Sequence, residues 1–243
     1  SYLNGYNDPR LPVYFQPVTE GDNKGEYRGV ANGMPNPQQD DYKAMSAPNV
    51  QEKSTDSPLR WMMASEVAFL RAEGAMRGWT AEMGGTAEEF YNKGIELSFL
   101  ENGLSADAAA RYAADETSKP TDFTDVSAAN TKYNISALGK ITIKWNAGAS
   151  EEEQLERIIT QKWIAMFPNG TEAWSEFRRT GYPLIFPVRS NYPTSGVDTN
   201  KQIRRMVFPQ SEYSNNGAAV QEAVKLLGGP DNGGTKLWWD KKN

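Results

Sequence analysis

The 243 residues are enough for one sizeable domain or two small ones, and 38% hydrophobic with 23% charged residues is the composition of a soluble globular protein. A net charge of -5 argues against a nucleic-acid phosphate backbone as the main partner, and no run of about 18 apolar residues exists to span a membrane. The chain has no Cys and no His, which excludes disulfides, thiolate chemistry, any His-based triad and the commonest transition-metal ligand.

Taken in order, the chain opens oddly. Ser1-Tyr2-Leu3 is neither an initiator nor a signal peptide, and the chain reads as a fragment of something longer. Leu11-Pro12-Val13-Tyr14-Phe15 predicts a short strand near residues 13–16. Residues 21–58 read as one long polar loop carrying Tyr27, Arg28, Asn32 and Tyr42.

The stretch 59–102 predicts a pair of packed antiparallel helices. Trp61, Ser65, Ala68, Ala72, Ala75 and Trp79 recur at helical spacing, with a small-residue middle that admits a neighbouring helix. Met63, Val67, Leu70 and Gly74 form a second row, expected to face a core. Gly78 and Gly84-Gly85 break the pattern, and Thr86 with Glu89 restarts it as a capping box. Phe90, Tyr91, Gly94, Ile95, Leu97 and Ser98 give the second helix its buried face, and Asn102-Gly103 ends it. Such a pair is the unit of tetratricopeptide-like arrays.

Further on, Ser105 is expected to cap a short Ala-rich helix, and residues 141–145 read as extended. Ser150 and Glu153 form another capping box before a stripe of Leu155, Ile158, Ile159, Trp163 and Met166. Thr171 is expected to cap the next helix, with Ala173, Trp174 and Phe177 inward and Gly181 at its end. A last helix is expected from Asn216, and the Trp238-Trp239 tail is expected to dock back on the body. The predicted fold is mainly α: helix pairs with long irregular loops and a few short strands.

Few residues invite chemistry. Glu66 and Glu73, seven apart on one helix, could flank a glycosidic bond as in a glycoside hydrolase. The plainer expectation pairs them with Arg60, Arg71 and Arg77. Arg178-Arg179 suits a helix C-terminus, and Arg204-Arg205 is expected to pair with Glu172, Glu176 or Asp198. Trp61, Trp163, Trp174, Trp238 and Trp239 read as core. Asp22-Asn23 and Asp40-Asp41 lack calcium-loop spacing, so neither metal nor cofactor is expected. Tyr2, Tyr6, Tyr14, Tyr27 and Tyr42 are expected outside helices among amide, carboxylate and Arg side chains. An aromatic face takes the polarised C–H groups of a sugar ring while those polar groups bond its hydroxyls. Tyr27, Arg28, Asn32 and Tyr42 are therefore the expected ligand-binding residues. A helical scaffold that binds only protein is the other alternative.

Five segments together resemble the SusD/RagB family of outer-membrane glycan-binding lipoproteins. They are Asp8-Pro9-Arg10-Leu11-Pro12-Val13-Tyr14, the run from Met63 to Glu73, the run from Thr160 to Phe167, the run from Glu172 to Pro183, and Leu237-Trp238-Trp239-Asp240. The resemblance implies a single domain over residues 1–243, forming the C-terminal part of such a protein. It also implies non-catalytic glycan binding at the cell surface, a lipid anchor on a cysteine outside this chain, and a TonB-dependent outer-membrane transporter as partner. It transfers no catalytic residue.

Overall fold

A computed structural model describes residues 1–34, 39–49, 61–192 and 195–242. Leu59, Arg60 and positions 35–38 and 50–58 of the predicted 21–58 loop lie outside the described residues. Among those described, the helices are α1 Tyr2–Gly5, α2 Leu11–Tyr14, α3 Gln39–Tyr42, α4 Ala64–Met76, α5 Thr80–Met83, α6 Ala87–Glu101, α7 Ala106–Ala113, α8 Glu151–Ala165, α9 Gly170–Thr180 and α10 Gln210–Leu226. A 3-10 stretch covers Ala128–Tyr133. β pairing among the described residues is confined to two isolated bridges, Phe15 with Pro48 and Phe123 with Ile135.

Local chemistry starts three of the helices where the sequence expects. The Thr86 hydroxyl accepts from the Glu89 N–H while the Glu89 carboxylate accepts from the Thr86 N–H. Ser150 and Glu153 repeat the arrangement, and Ser105 accepts from the Ala108 N–H. Each satisfies backbone donors that a helix start leaves orphaned.

α4 and α6 cross antiparallel. Glu101, at the end of α6, accepts from the Ser65 backbone N–H and hydroxyl at the start of α4. The predicted small row of Ser65, Ala68, Ala72 and Ala75 is buried. Gly94 lets Phe69 seat directly on the backbone of α6, since a Cβ there would sit 2.6 Å from the Phe69 ring. Phe69 then meets Tyr91 edge-on at 6.3 Å. α8 lays Leu155, Ile158 and Ile159 against the same core.

A buried polar knot ties the N-terminal turns to these helices. Arg10, fully buried, donates from Nε to Asp8 Oδ1 at 2.9 Å and from Nη2 to Asp8 Oδ2 at 2.7 Å. It also reaches Ser98 on α6 and Gln161 on α8, and lies 5.0 Å from the Phe99 ring centroid and 5.3 Å from that of Tyr112. The Tyr112 hydroxyl on α7 donates to Asp8. One guanidinium therefore joins a turn and three helices, with its charge neutralised on the spot.

Several expectations are corrected here. The predicted strand at residues 13–16 is the helical turn α2 followed by one bridge residue. Pro12 sits in the first turn of α2, where its fixed φ suits a helix start. The Met63, Val67, Leu70 and Gly74 row does not face a core as a row. Val67 and Leu70 are 41% and 39% exposed, because α6 and α8 cover the opposite side of α4. Trp61 is 87% exposed and Trp238 82% exposed, so neither is core. The cap of α9 is Asn169, whose side chain accepts from the Glu172 N–H; Thr171 is already helical. α10 starts six residues before the expected Asn216, but Asn216 is a non-helical kink that divides it in two, and the second piece starts where the sequence places the last helix.

The C-terminal region has little apolar core and is held by charge. Arg204 is clasped by both Asp240 oxygens, at 2.7 and 2.5 Å, and donates to the Arg178 carbonyl. Arg205 pairs with Asp231. These partners replace the expected Glu172, Glu176 and Asp198. Arg178 is sandwiched between Trp174 and Trp239, 3.5 and 4.9 Å from their ring centroids, which docks the tail as expected.

Candidate functional site

The expected sugar-binding tyrosines fall in three places. Tyr2 lies in α1 and Tyr14 in α2, and both are buried, as is Tyr6. Burial raises the pKa of each above its ordinary value. The Tyr2 hydroxyl donates to the Leu184 carbonyl and that of Tyr6 to the Ile141 carbonyl. These three rings belong to the core, and only Tyr2 and Tyr14 reach the wall of a cavity.

Tyr27, Arg28 and Asn32 occupy a half-exposed strip. Backbone bonds hold it in place, from Val18 N–H to Glu26 O and from Ser46 N–H to Arg28 O. Tyr27 and Arg28 line a cavity of about 310 Å³ with Tyr2, Leu3, Asn4 and Phe186. The Arg28 Nε donates to Glu26. Asn32 is exposed outside that cavity, and its carbonyl accepts from the Arg189 N–H at 2.9 Å. Three residues on from Arg189 stands Tyr192, 86% exposed. Sequence reading missed Tyr192. Its signal is an aromatic residue in the polar run Arg189-Ser190-Asn191. Tyr42 lies elsewhere: its hydroxyl donates to Asp125 at 2.8 Å and accepts from Asn130 at 2.8 Å.

A second cavity, of about 410 Å³, lies between α1, α2, α8 and α9 and is walled almost entirely by carbon. It shares Leu3, Phe15, Trp163 and Ile185 with the first.

The two glutamates of α4 line neither cavity. Glu73 accepts from Arg77 at 2.7 Å and from Arg179 at 2.7 and 2.6 Å. Burial alone would raise its pKa, but these arginines hold it below the ordinary carboxylate value. Glu66 is buried 4.0 Å from the Lys162 ammonium, and burial pushes its pKa up against the pull of that charge. Lys162 is shared with Glu172 and Glu176. The pair is thus part of an ion network between α4, α8 and α9. Among the described residues no group of three or more acidic side chains is placed to hold a metal ion.

Comparison with known proteins accounts for this architecture. The family model described as "SusD-like: Susd and RagB outer membrane lipoprotein" matches residues 1–240. The chain belongs to the SusD-like family. Among solved structures, a chitin-binding SusD homologue from Flavobacterium johnsoniae is 43% identical with a TM-score of 0.91, over 100% of this chain and 48% of its own. A SusD-like protein from Bacteroides thetaiotaomicron is 45% identical with a TM-score of 0.90, over 100% of this chain and 49% of its own. A SusD homologue from Bacteroides uniformis is 44% identical with a TM-score of 0.86, over 99% and 48%. No curated protein matches. The chain therefore spans about half the length of the SusD-like structures it resembles. The family's description assigns it to the outer membrane, and no described helix is long and apolar enough to cross a bilayer.

Proposed function

We propose that this SusD-like chain contributes to non-catalytic glycan binding at the cell surface, within an outer-membrane uptake complex with a TonB-dependent transporter. The observation that carries the reading is 43% identity, over the whole chain, to a SusD homologue described as chitin-binding. The half-exposed strip supports it. Tyr27 is half-exposed beside Arg28 and Asn32, which carry donors for sugar hydroxyls, and Tyr192 is 86% exposed three residues from Arg189, which bonds Asn32. Tyr42, whose hydroxyl is already committed to Asp125 and Asn130, serves to position its loop. The commitment of Glu73 to two arginines supports a binding role over hydrolysis, since a catalytic carboxylate must be open to sugar or water.

The test is affinity electrophoresis and calorimetry with chitohexaose. Stacking on one exposed ring is worth on the order of 1 kcal/mol, so Tyr27→Ala or Tyr192→Ala should each weaken binding several-fold, and the double variant more. Melting temperatures should barely move. Equal affinities for the double variant and the parent would remove this strip from the site. Release of sugar products that vanishes in Glu73→Gln would overturn the non-catalytic reading.

A further inference from the structure

We propose that Arg189 is the positioning residue of the sugar-binding strip. It holds the segment that carries Tyr192 in register with the one that carries Tyr27, Arg28 and Asn32. The inference rests on the glycan reading above and adds what gives that site its shape. Neither segment is helical, so no regular backbone ladder fixes one against the other. Their register must come from individual contacts.

Those contacts converge on one crossing. The Arg189 N–H donates to the Asn32 carbonyl at 2.9 Å, and its guanidinium donates to the Tyr133 carbonyl at the end of the 3-10 stretch. Gly33 stands beside it with φ +71, where side chains are disfavoured. A Cβ at Gly33 would lie 2.4 Å from Val188 Cγ1 and 3.0 Å from the Ser190 carbonyl oxygen. The two segments therefore pass each other at closest range around Arg189. Each is also anchored away from the crossing. The Arg28 N–H donates to the Ser46 hydroxyl, and the Arg28 carbonyl accepts from the Ser46 N–H. On the other segment the Val188 N–H donates to the Thr199 carbonyl, the Asn191 amide to the Val197 carbonyl, and the Ser195 N–H to the Tyr192 carbonyl. The 3-10 stretch is tied to α3 in turn, since the Asn130 amide donates to the Tyr42 hydroxyl. Arg189 joins these pieces. With its guanidinium committed to Tyr133, it acts through its neighbours and not on the sugar. A sugar chain that must gather two loose rings loses binding free energy to ordering them, and rings already in register spare it that loss.

Three variants test this in the 243-residue chain. Arg189→Met keeps the apolar stem and removes the donor, Arg189→Lys keeps a cationic donor, and Gly33→Ala disturbs the same crossing from the other side. By calorimetry with chitohexaose, Arg189→Met and Gly33→Ala should weaken binding several-fold and Arg189→Lys less, with melting temperatures near that of the parent. Should Gly33→Ala fail to fold, Arg189→Met decides alone. In the Arg189→Met background Tyr192→Ala should cost less than in the parent, because groups that act as a unit are not additive. The lack of cysteine allows a second readout without sugar. Nitroxides on Tyr27→Cys and Tyr192→Cys should give a narrow distance distribution by pulsed electron paramagnetic resonance, and adding Arg189→Met should broaden or shift it. A control pair on Leu100→Cys and Leu226→Cys, both exposed, should not change. Additive losses in the cycle, or an unchanged distribution between positions 27 and 192, would overturn the inference. Absence of chitohexaose binding in the parent would count against the glycan reading, and the nitroxide distances would still decide whether Arg189 holds the two segments together.

Discussion

The helical body and the C-terminal region each bury an arginine clasped by both oxygens of an aspartate, but to different ends. Arg10 and Asp8 sit inside a dense apolar core, among Phe99, Tyr91, Ile158 and Ile159. Arg204 and Asp240 sit where buried apolar side chains are few; beyond residue 180, Pro183 and Val220 are the buried ones among the described residues. In the body the pair locks elements that hydrophobic burial already drives together. In the C-terminal region the pair, together with Arg178 between its two tryptophans, stands in for a core. Similar local chemistry thus serves register in one place and cohesion in the other.

The largest effect is expected at the Arg10–Asp8 pair of the helical body. Arg10→Met leaves Asp8 buried without its counter-charge, which typically costs about 3–5 kcal/mol. Urea unfolding should lose that much across the helical body, and a loss below about 1 kcal/mol would show that the apolar core holds these elements unaided. Gly94→Ala attacks the same body without touching charge. Its methyl must displace the Phe69 ring, and overpacking of this kind costs about 1–3 kcal/mol, read as a lower melting temperature.

Asp240→Asn should act locally. It weakens the clasp on Arg204 by about 1.5–3 kcal/mol, the range for a hydrogen bond to a charged group. The tail around Trp239 should then become sensitive to protease, while the cooperative melt of the helices stays near that of the parent. A global drop as large as that of Arg10→Met would erase the distinction between the two regions.

The smallest effect concerns acid. Asp231 accepts from Arg205, from the Tyr213 hydroxyl and from the Phe208 N–H. Burial would raise its pKa, but these partners hold it below its ordinary 3.8. A lowered folded-state value adds stability above the unfolded value, and that stability is lost as pH falls through the folded one. The C-terminal region should therefore loosen below pH 3.8, seen as a shift in tryptophan emission. Asp231→Asn should reduce that acid-dependent change. An identical acid profile in the variant would show that other carboxylates control the region.

Sequence alone determined the features that depend on a few neighbouring residues. The capping boxes at Thr86 and Ser150, the small-residue row of α4 and the αL glycine that ends α9 are of this kind. Their physics acts over one or two turns, so spacing suffices to predict them. The helical family was legible too, because five separated segments agreed with one fold. Tertiary structure decided the rest. α4 carries two rows that each look buriable, and the placement of α6 and α8 chose between them, leaving Val67 and Leu70 out. Arg204 and Arg205 had nearer carboxylates in sequence, but chain folding brought Asp240 and Asp231 to them. Tyr2, Tyr6 and Tyr14 have the composition of a sugar platform around them, yet became core once α8 was laid across them. A side chain's partner is set by which surfaces meet, and residues far apart in sequence meet only through the packing of the whole chain.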